Sequence, residues 1–191
     1  MNDIFPSDEL SGQLLIAMPS MGDPRFDHAV VLVCAHSDEG AMGIIVNKRV
    51  PELHLDDLLE QLDIKTSDSS RDVAIHFGGP VEGGRGFVLH STDYPGNPST
   101  LLVDPGFGLT ATKDVLEDIA SGSGPRAAMT VLGYAGWGPG QLESELQQNA
   151  WLTVDADEAI VFDPNDDGKW LGALKKLGID PLMLSAEGGS A

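Results

Sequence analysis

The chain has 191 residues, 41% of them hydrophobic, with 30 acidic side chains against 11 basic ones and a net charge of -19. That length supports one domain with a substantial core, and the acidic surplus opposes contact with nucleic acid or an anionic membrane. A single cysteine rules out an intrachain disulfide framework, and no apolar run reaches the ~18 residues of a membrane span.

Residues 1–9 are polar and lack the basic region that opens a signal peptide, so they read as a loose segment of a cytoplasmic protein. Residues 13–18 form an expected strand, stopped by Pro19. The nearly unbroken apolar run 29–35, β-branched at Val30, Val31 and Val33, reads as a central strand buried on both faces. Turn chemistry at 37–40 and a further strand at 41–47 complete a hairpin. Leu55, Leu58, Leu59 and Leu62 recur at helical spacing behind Asp56 and Asp57, which predicts an amphipathic helix.

A polar loop at 65–71 leads to a strand at 73–77. A glycine loop at 78–86 and strands at 87–90 and 100–103 follow, the last two joined by a turn-rich connection at 92–98. Thr112 or Thr110 is placed to cap a helix running to Ala120. The apolar run 127–132 predicts a buried strand, and Gly133, Gly136, Gly138 and Gly140 then predict a second glycine loop. Gly138 as N-cap and Pro139 at the first helical position open a short helix with Leu142, Leu146 and Ala150 on one face. Residues 151–154 and 160–162 read as strands. Residues 169–177 read as a helix with Trp170, Leu171, Leu174 and Leu177 inward, and Gly178 ends it. Residues 10–185 are expected as one domain and 186–191 as a disordered tail. Hairpins mixed with helices, without strict βαβ alternation, point to α+β.

Several stretches imitate known sites and lack a decisive residue. Gly79 to Arg85 has the glycine spacing of a P-loop, but Arg85 and Gly86 stand where lysine and a hydroxyl are required. Gly136-x-Gly138 is followed by Gln141 where a dinucleotide fingerprint needs glycine, and Glu143 and Glu145 would repel a phosphate. The residues from Asp163 to Gly168 open like an EF-hand loop, but its twelfth position is Leu174. Cys34 and His36 are two apart on a strand and so are expected on one face, within a run that reads as core. The histidines show no metal-ligand spacing. No catalytic, cofactor or metal residue is assigned, and neither zinc nor calcium is expected.

The chain resembles the AlgH/YqgE family of bacterial proteins from about residue 10 to residue 184. The resemblance rests on Gln13-Leu14-Leu15-Ile16-Ala17-Met18-Pro19, Asp23-Pro24-Arg25-Phe26, Gly40-Ala41-Met42-Gly43-Ile44-Ile45-Val46-Asn47-Lys48 and Gly78-Gly79-Pro80-Val81. Arg85-Gly86-Phe87-Val88-Leu89-His90 and the stretch Gly133-Tyr134-Ala135-Gly136-Trp137-Gly138-Pro139-Gly140-Gln141-Leu142-Glu143 complete it. It implies a single α+β domain whose mostly antiparallel sheet is bent or bifurcated into a pseudo-barrel, with flanking helices. The family carries a transcriptional-regulator label and no agreed catalytic residue or cofactor. Its motifs mark His36, Asn47, Arg85, His90, Tyr134, Trp137, Gln141 and Glu143 as a candidate binding surface. The plainer reading is that these groups satisfy buried backbone and one another. The leading functional expectation is a non-enzymatic regulatory or binding module with an unidentified protein or small-molecule partner and no membrane association. The alternatives are a direct DNA-binding regulator, which the charge opposes, and an enzyme with a site near the two glycine loops.

Overall fold

The computed structural model describes residues 10–66, 73–95, 98–103, 106–111 and 113–184; the expectations for 1–9, Thr112 and 186–191 lie outside these. In chain order, β1 (Gln13–Ala17) precedes a 3-10 turn at Pro24–Phe26 and the hairpin of β2 (Val30–Ser37) and β3 (Gly40–Ile45). Helix α1 (Leu55–Gln61), β4 (Ile75–Phe77) and the long β5 (Val81–Ser91) follow. Next come β6 (Leu101–Val103), β7 (Phe107–Thr110), α2 (Lys113–Ser121), β8 (Ala128–Trp137), α3 (Gln141–Gln147) and β9 (Trp151–Asp155). The chain closes with α4 (Glu158–Val161), a 3-10 turn at Asp166–Gly168 and α5 (Lys169–Lys176).

Among the described residues the strands form one curled, mostly antiparallel sheet in the order β6-β7-β5-β8-β3-β2-β1-β9. β4 joins off this path, parallel to β8. The fold is a single α+β domain whose sheet forks at β8. One edge of β8 pairs first with β4, from Thr130 to Leu132, and then with β3, from Ala135 to Trp137. Its other edge is held by β5. β1 and β2 are buried on both faces, which explains their unbroken apolar runs. Leu14, Ile16, Val30, Leu32 and Ile44 pack with Trp170, Ala173 and Leu174 of α5. Leu15, Val31, Val33 and Ile45 pack on the opposite face with Trp137, Leu142 and Trp151. A third cluster gathers α1 and α2 over Val88.

Much of the two expected glycine loops is strand, and only 78–80 and 138–140 stay outside the sheet. β8 runs on through Gly133 and Gly136, and β5 begins at Val81. The glycines let these backbones touch: a Cβ on Gly79 would lie 2.1 Å from the Tyr134 carbonyl carbon, and one on Gly133 2.4 Å from the Gly79 oxygen. Gly133 also holds φ +75°, a conformation side chains rarely adopt. The residues resembling a P-loop instead make an exposed bulge in β5, where the register against β8 shifts between Val81 and Gly86.

Other expectations are corrected by packing. Residues 160–162 lie at the end of helix α4 and its C-cap, opened by Asp157, whose carboxylate accepts from the Ile160 amide at 2.9 Å. Residues 107–110 are a strand, so Thr110 lies in β7 and caps nothing. α3 starts at Gln141 with left-handed Gly140 as its N-cap, two residues later than Gly138 and Pro139 suggested. α5 turns Lys169, Trp170, Ala173 and Leu174 inward, and leaves Leu171 and Leu177 exposed. A bulge between Val33 and Ala35 puts Cys34 and His36 on opposite faces: Cys34 joins the α5 side, while His36 approaches Glu143 of α3. Burial pushes the Cys34 thiol up to about 12, so it stays protonated. Among the described residues, no helix is long and apolar enough to cross a membrane.

Candidate functional site

The expected binding residues separate into distinct places. His36, Trp137, Gln141 and Glu143 meet around α3. His36 Nε2 lies 3.4 Å from Glu143, while Trp137 Nε1 and Gln141 Nε2 each donate to Glu145 at 3.0 Å. Trp151 Nε1 donates to the same Glu145 oxygen as Trp137, at 2.8 Å, and the two indoles stack edge to face. Arg85 and Tyr134 sit together elsewhere, both against the buried Phe87 ring. His90 is inside: its Nδ1 donates to the Ser91 carbonyl and its Nε2 accepts from Thr110. Asn47 belongs to a third region, and that region also contains a cluster the sequence reading missed.

This cluster is built on Asp166. Lys169 opens α5 three residues after Asp166, and its side chain folds back beneath the 3-10 turn. Its ammonium donates to Asp166 Oδ1 at 2.8 Å and to the Val46 carbonyl at 2.8 Å, with only 1% of the side chain exposed. His76, at the centre of β4, places Nε2 2.9 Å from the same carboxylate oxygen. A carboxylate only accepts, so Nε2 carries the proton. Burial by itself would raise the Asp166 carboxyl, but the hydrogen bonds from His76 and Lys169 outweigh it and hold the group below its usual value. Burial pulls the Lys169 ammonium down, and Asp166 offsets part of that shift. His76 Nδ1 is buried without a partner among the described residues.

A cavity of about 310 Å³ opens beside this network, lined by His76, Asp166, Lys169, Met129, Phe162 and Arg49. Arg49 and His76 face each other across an antiparallel bridge, which the Phe77 amide to Lys48 carbonyl bond of 2.7 Å reinforces. Side chains at such paired positions lie side by side on one face. Arg49 also lines a second cavity of about 570 Å³, walled by His28, Asn47, Lys48, Pro51, Trp170 and Leu171, with Asp166 and Asp167 at its edge. Arg49 is exposed and makes no side-chain hydrogen bond or ion pair among the described residues.

Asn47 builds one wall of the larger cavity. Its side chain accepts from the Val30 amide at 2.9 Å and donates to the His28 carbonyl at 2.8 Å. It thereby pins His28 at φ +54°, a strained position for a residue other than glycine. The His28 ring rests on Trp170 at 4.5 Å, and Trp170 is fixed by its Nε1–H donating to the Ala17 carbonyl. Lys48 donates to the Asp27 carbonyl below. One sequence signal pointed to this site: a lysine at the first position of a helix, where the dipole disfavours a cation, needs a partner.

The AlgH-like family model matches residues 14–182. The chain is 56% identical over 183 residues to a UPF0301 protein of Cereibacter sphaeroides, an alignment covering 96% of this chain and 100% of that one. It is 57% identical over 184 residues to a UPF0301 protein of Ruegeria pomeroyi, with the same coverage. Its structure is similar to the solution structure of the AlgH protein from Pseudomonas aeruginosa, with TM-score 0.77, 40% identity and 97% of each chain covered. A crystal structure of a protein from Corynebacterium diphtheriae, at 19% identity and TM-score 0.75 over 97% of this chain and 94% of that one, shares the fold.

Proposed function

The chain belongs to the AlgH-like family, and on that premise we propose that it is a non-enzymatic regulatory or binding module that takes up a small molecule in the cleft around Arg49. The observation that carries this reading is the uncommitted Arg49 guanidinium on a wall shared by two cavities. Among the described arginines, Arg25, Arg85 and Arg126 each pair with a carboxylate, whereas Arg49 does not. The network beneath it is a fixed floor. Lys169 is held as an ammonium by Val46 and Asp166, so it has no lone pair to offer as a nucleophile.

Direct DNA contact has less support. Of the two adjacent basic pairs, Lys175-Lys176 is partly tied down, since Lys176 pairs with Asp157 at 2.9 Å. Lys48-Arg49 alone gives too few phosphate contacts for the usual electrostatic affinity. A bacterial, cytoplasmic regulator acting through a ligand fits the charge better than one acting on nucleic acid itself.

The test is native mass spectrometry of the protein isolated from its own cells, joined to a thermal-shift screen with a metabolite library. We expect a stoichiometric small-molecule adduct or a compound that raises Tm, with either effect lost in Arg49→Gln. A protein that carries no adduct and responds to no compound overturns the reading.

A further inference from the structure

Resting on the binding reading above, we propose the chemical class of the occupant: a small organic oxyanion, with its carboxylate or phosphate-monoester head on Arg49 and an apolar body against Trp170 and Leu171. The guanidinium fork matches planar and tetrahedral oxyanions through paired N–H donors. The cleft also differs in charge from the rest of the surface. Lys48, Arg49 and Lys169 stand against Asp163, Asp166 and Asp167, three against three, where the whole chain has 11 against 30. Asp166 is engaged by Lys169 and His76, so its charge is the best neutralised of the three acids.

The body of the ligand is set by the larger cavity. Leu171 is 51% exposed on its wall, beside the Trp170 ring and Pro51. A ligand with an apolar body would take this leucine and the tryptophan beside it out of water together. The wall is also preformed: Asn47 holds left-handed His28 against Trp170 before any ligand arrives, which reduces the ordering cost of binding. Asp167 on the rim opposes the head group, so anions bind better when it is neutralised.

The chain has three tryptophans, so their indole N–H resonances can be assigned by single substitutions and Trp170 followed directly. The probes are phenyl phosphate, benzoate, inorganic phosphate, benzyl alcohol and benzylamine. Phenyl phosphate and benzoate are expected to shift the Trp170 signal and to bind about tenfold more tightly than inorganic phosphate or benzyl alcohol. Benzylamine is expected to leave the signal unmoved. Arg49→Gln should weaken both aromatic anions by about tenfold, and Asp167→Asn should tighten them. Preference between the phosphate and the carboxylate identifies the head group. Binding of benzyl alcohol or benzylamine as tight as that of the anions, or anion binding unaffected by Arg49→Gln, overturns the proposed class while leaving a ligand cleft. A Trp170 signal that no probe moves overturns the class and the binding reading together.

Discussion

Two carboxylates, Glu145 and Asp166, each collect several donors, Glu145 from its own neighbourhood in the chain and Asp166 from as far away as His76, and their partners are of different kinds. Glu145 accepts from two indoles and an amide, all neutral, and the surrounding Trp137, Leu142 and Trp151 fill one face of the sheet. Asp166 accepts from a buried ammonium and an imidazole, with cavities beside it. The first arrangement packs side chains tightly. The second holds charge in place next to open space. A polar network that only needed to join α5 to the sheet could have been closed by apolar residues at no loss of stability. Its place beside Arg49 suits the ligand cleft proposed above.

Substitutions that remove one centre at a time separate these roles. The largest expected effect is at the packed site. Trp137→Ala removes a buried indole and should cost ~3–5 kcal/mol in denaturant unfolding. A variant as stable as the parent would mean that Trp137 is a recognition residue and not a packing one. Asp166→Asn should cost about 3 kcal/mol, because it leaves the buried Lys169 ammonium without its counterion. Its signature is in pH. The folded Asp166 carboxyl lies below the ordinary 3.8, so its contribution is complete above that value and fades as pH falls below it. The gap between parent and Asp166→Asn should be full near pH 6 and shrink below about pH 4. A gap that does not change with pH would show that the pair adds no charge-dependent stability. Glu145→Gln is the mildest, at about 1–2 kcal/mol, since the amide oxygen can still accept both indoles and the bond lost is the one from Gln141. Tryptophan fluorescence should shift on this substitution, and an unchanged spectrum would mean that the indoles are not held by Glu145.

The hairpin of β2 and β3, helix α1 and helix α5 were legible because each carries its periodicity in several apolar residues. The family was legible from its long motifs. Short segments misled. Ile160, Val161 and Phe162 are too few to distinguish strand from helix, and the informative residue was Asp157, three positions earlier. The glycines at 78–79 and 133 look like loops in one dimension because their purpose, the contact of two backbones, involves a segment over fifty positions away. The Asp166 cluster was hidden for the same reason. His76, Lys169 and Arg49 come from three separate segments, and only the misplaced-looking cation at the start of α5 hinted at it. The bulge at Cys34 reversed the expected pairing of Cys34 with His36, which a strict two-residue period cannot foresee.

The position of β8 also bears on synthesis. The hairpin ending at Ile45 can form early, but the strand that completes the edge of β3 ends only at Trp137. At about 5–20 residues per second, the ribosome needs roughly 5–20 s to supply it. Throughout that interval β3 presents an open edge from which another chain could extend a sheet. Closing the loop between them carries the entropic cost of a long-range contact, so this step favours slow folding. The surplus of acidic side chains, spread along the emerging polypeptide, then keeps neighbouring nascent copies apart until β8 arrives.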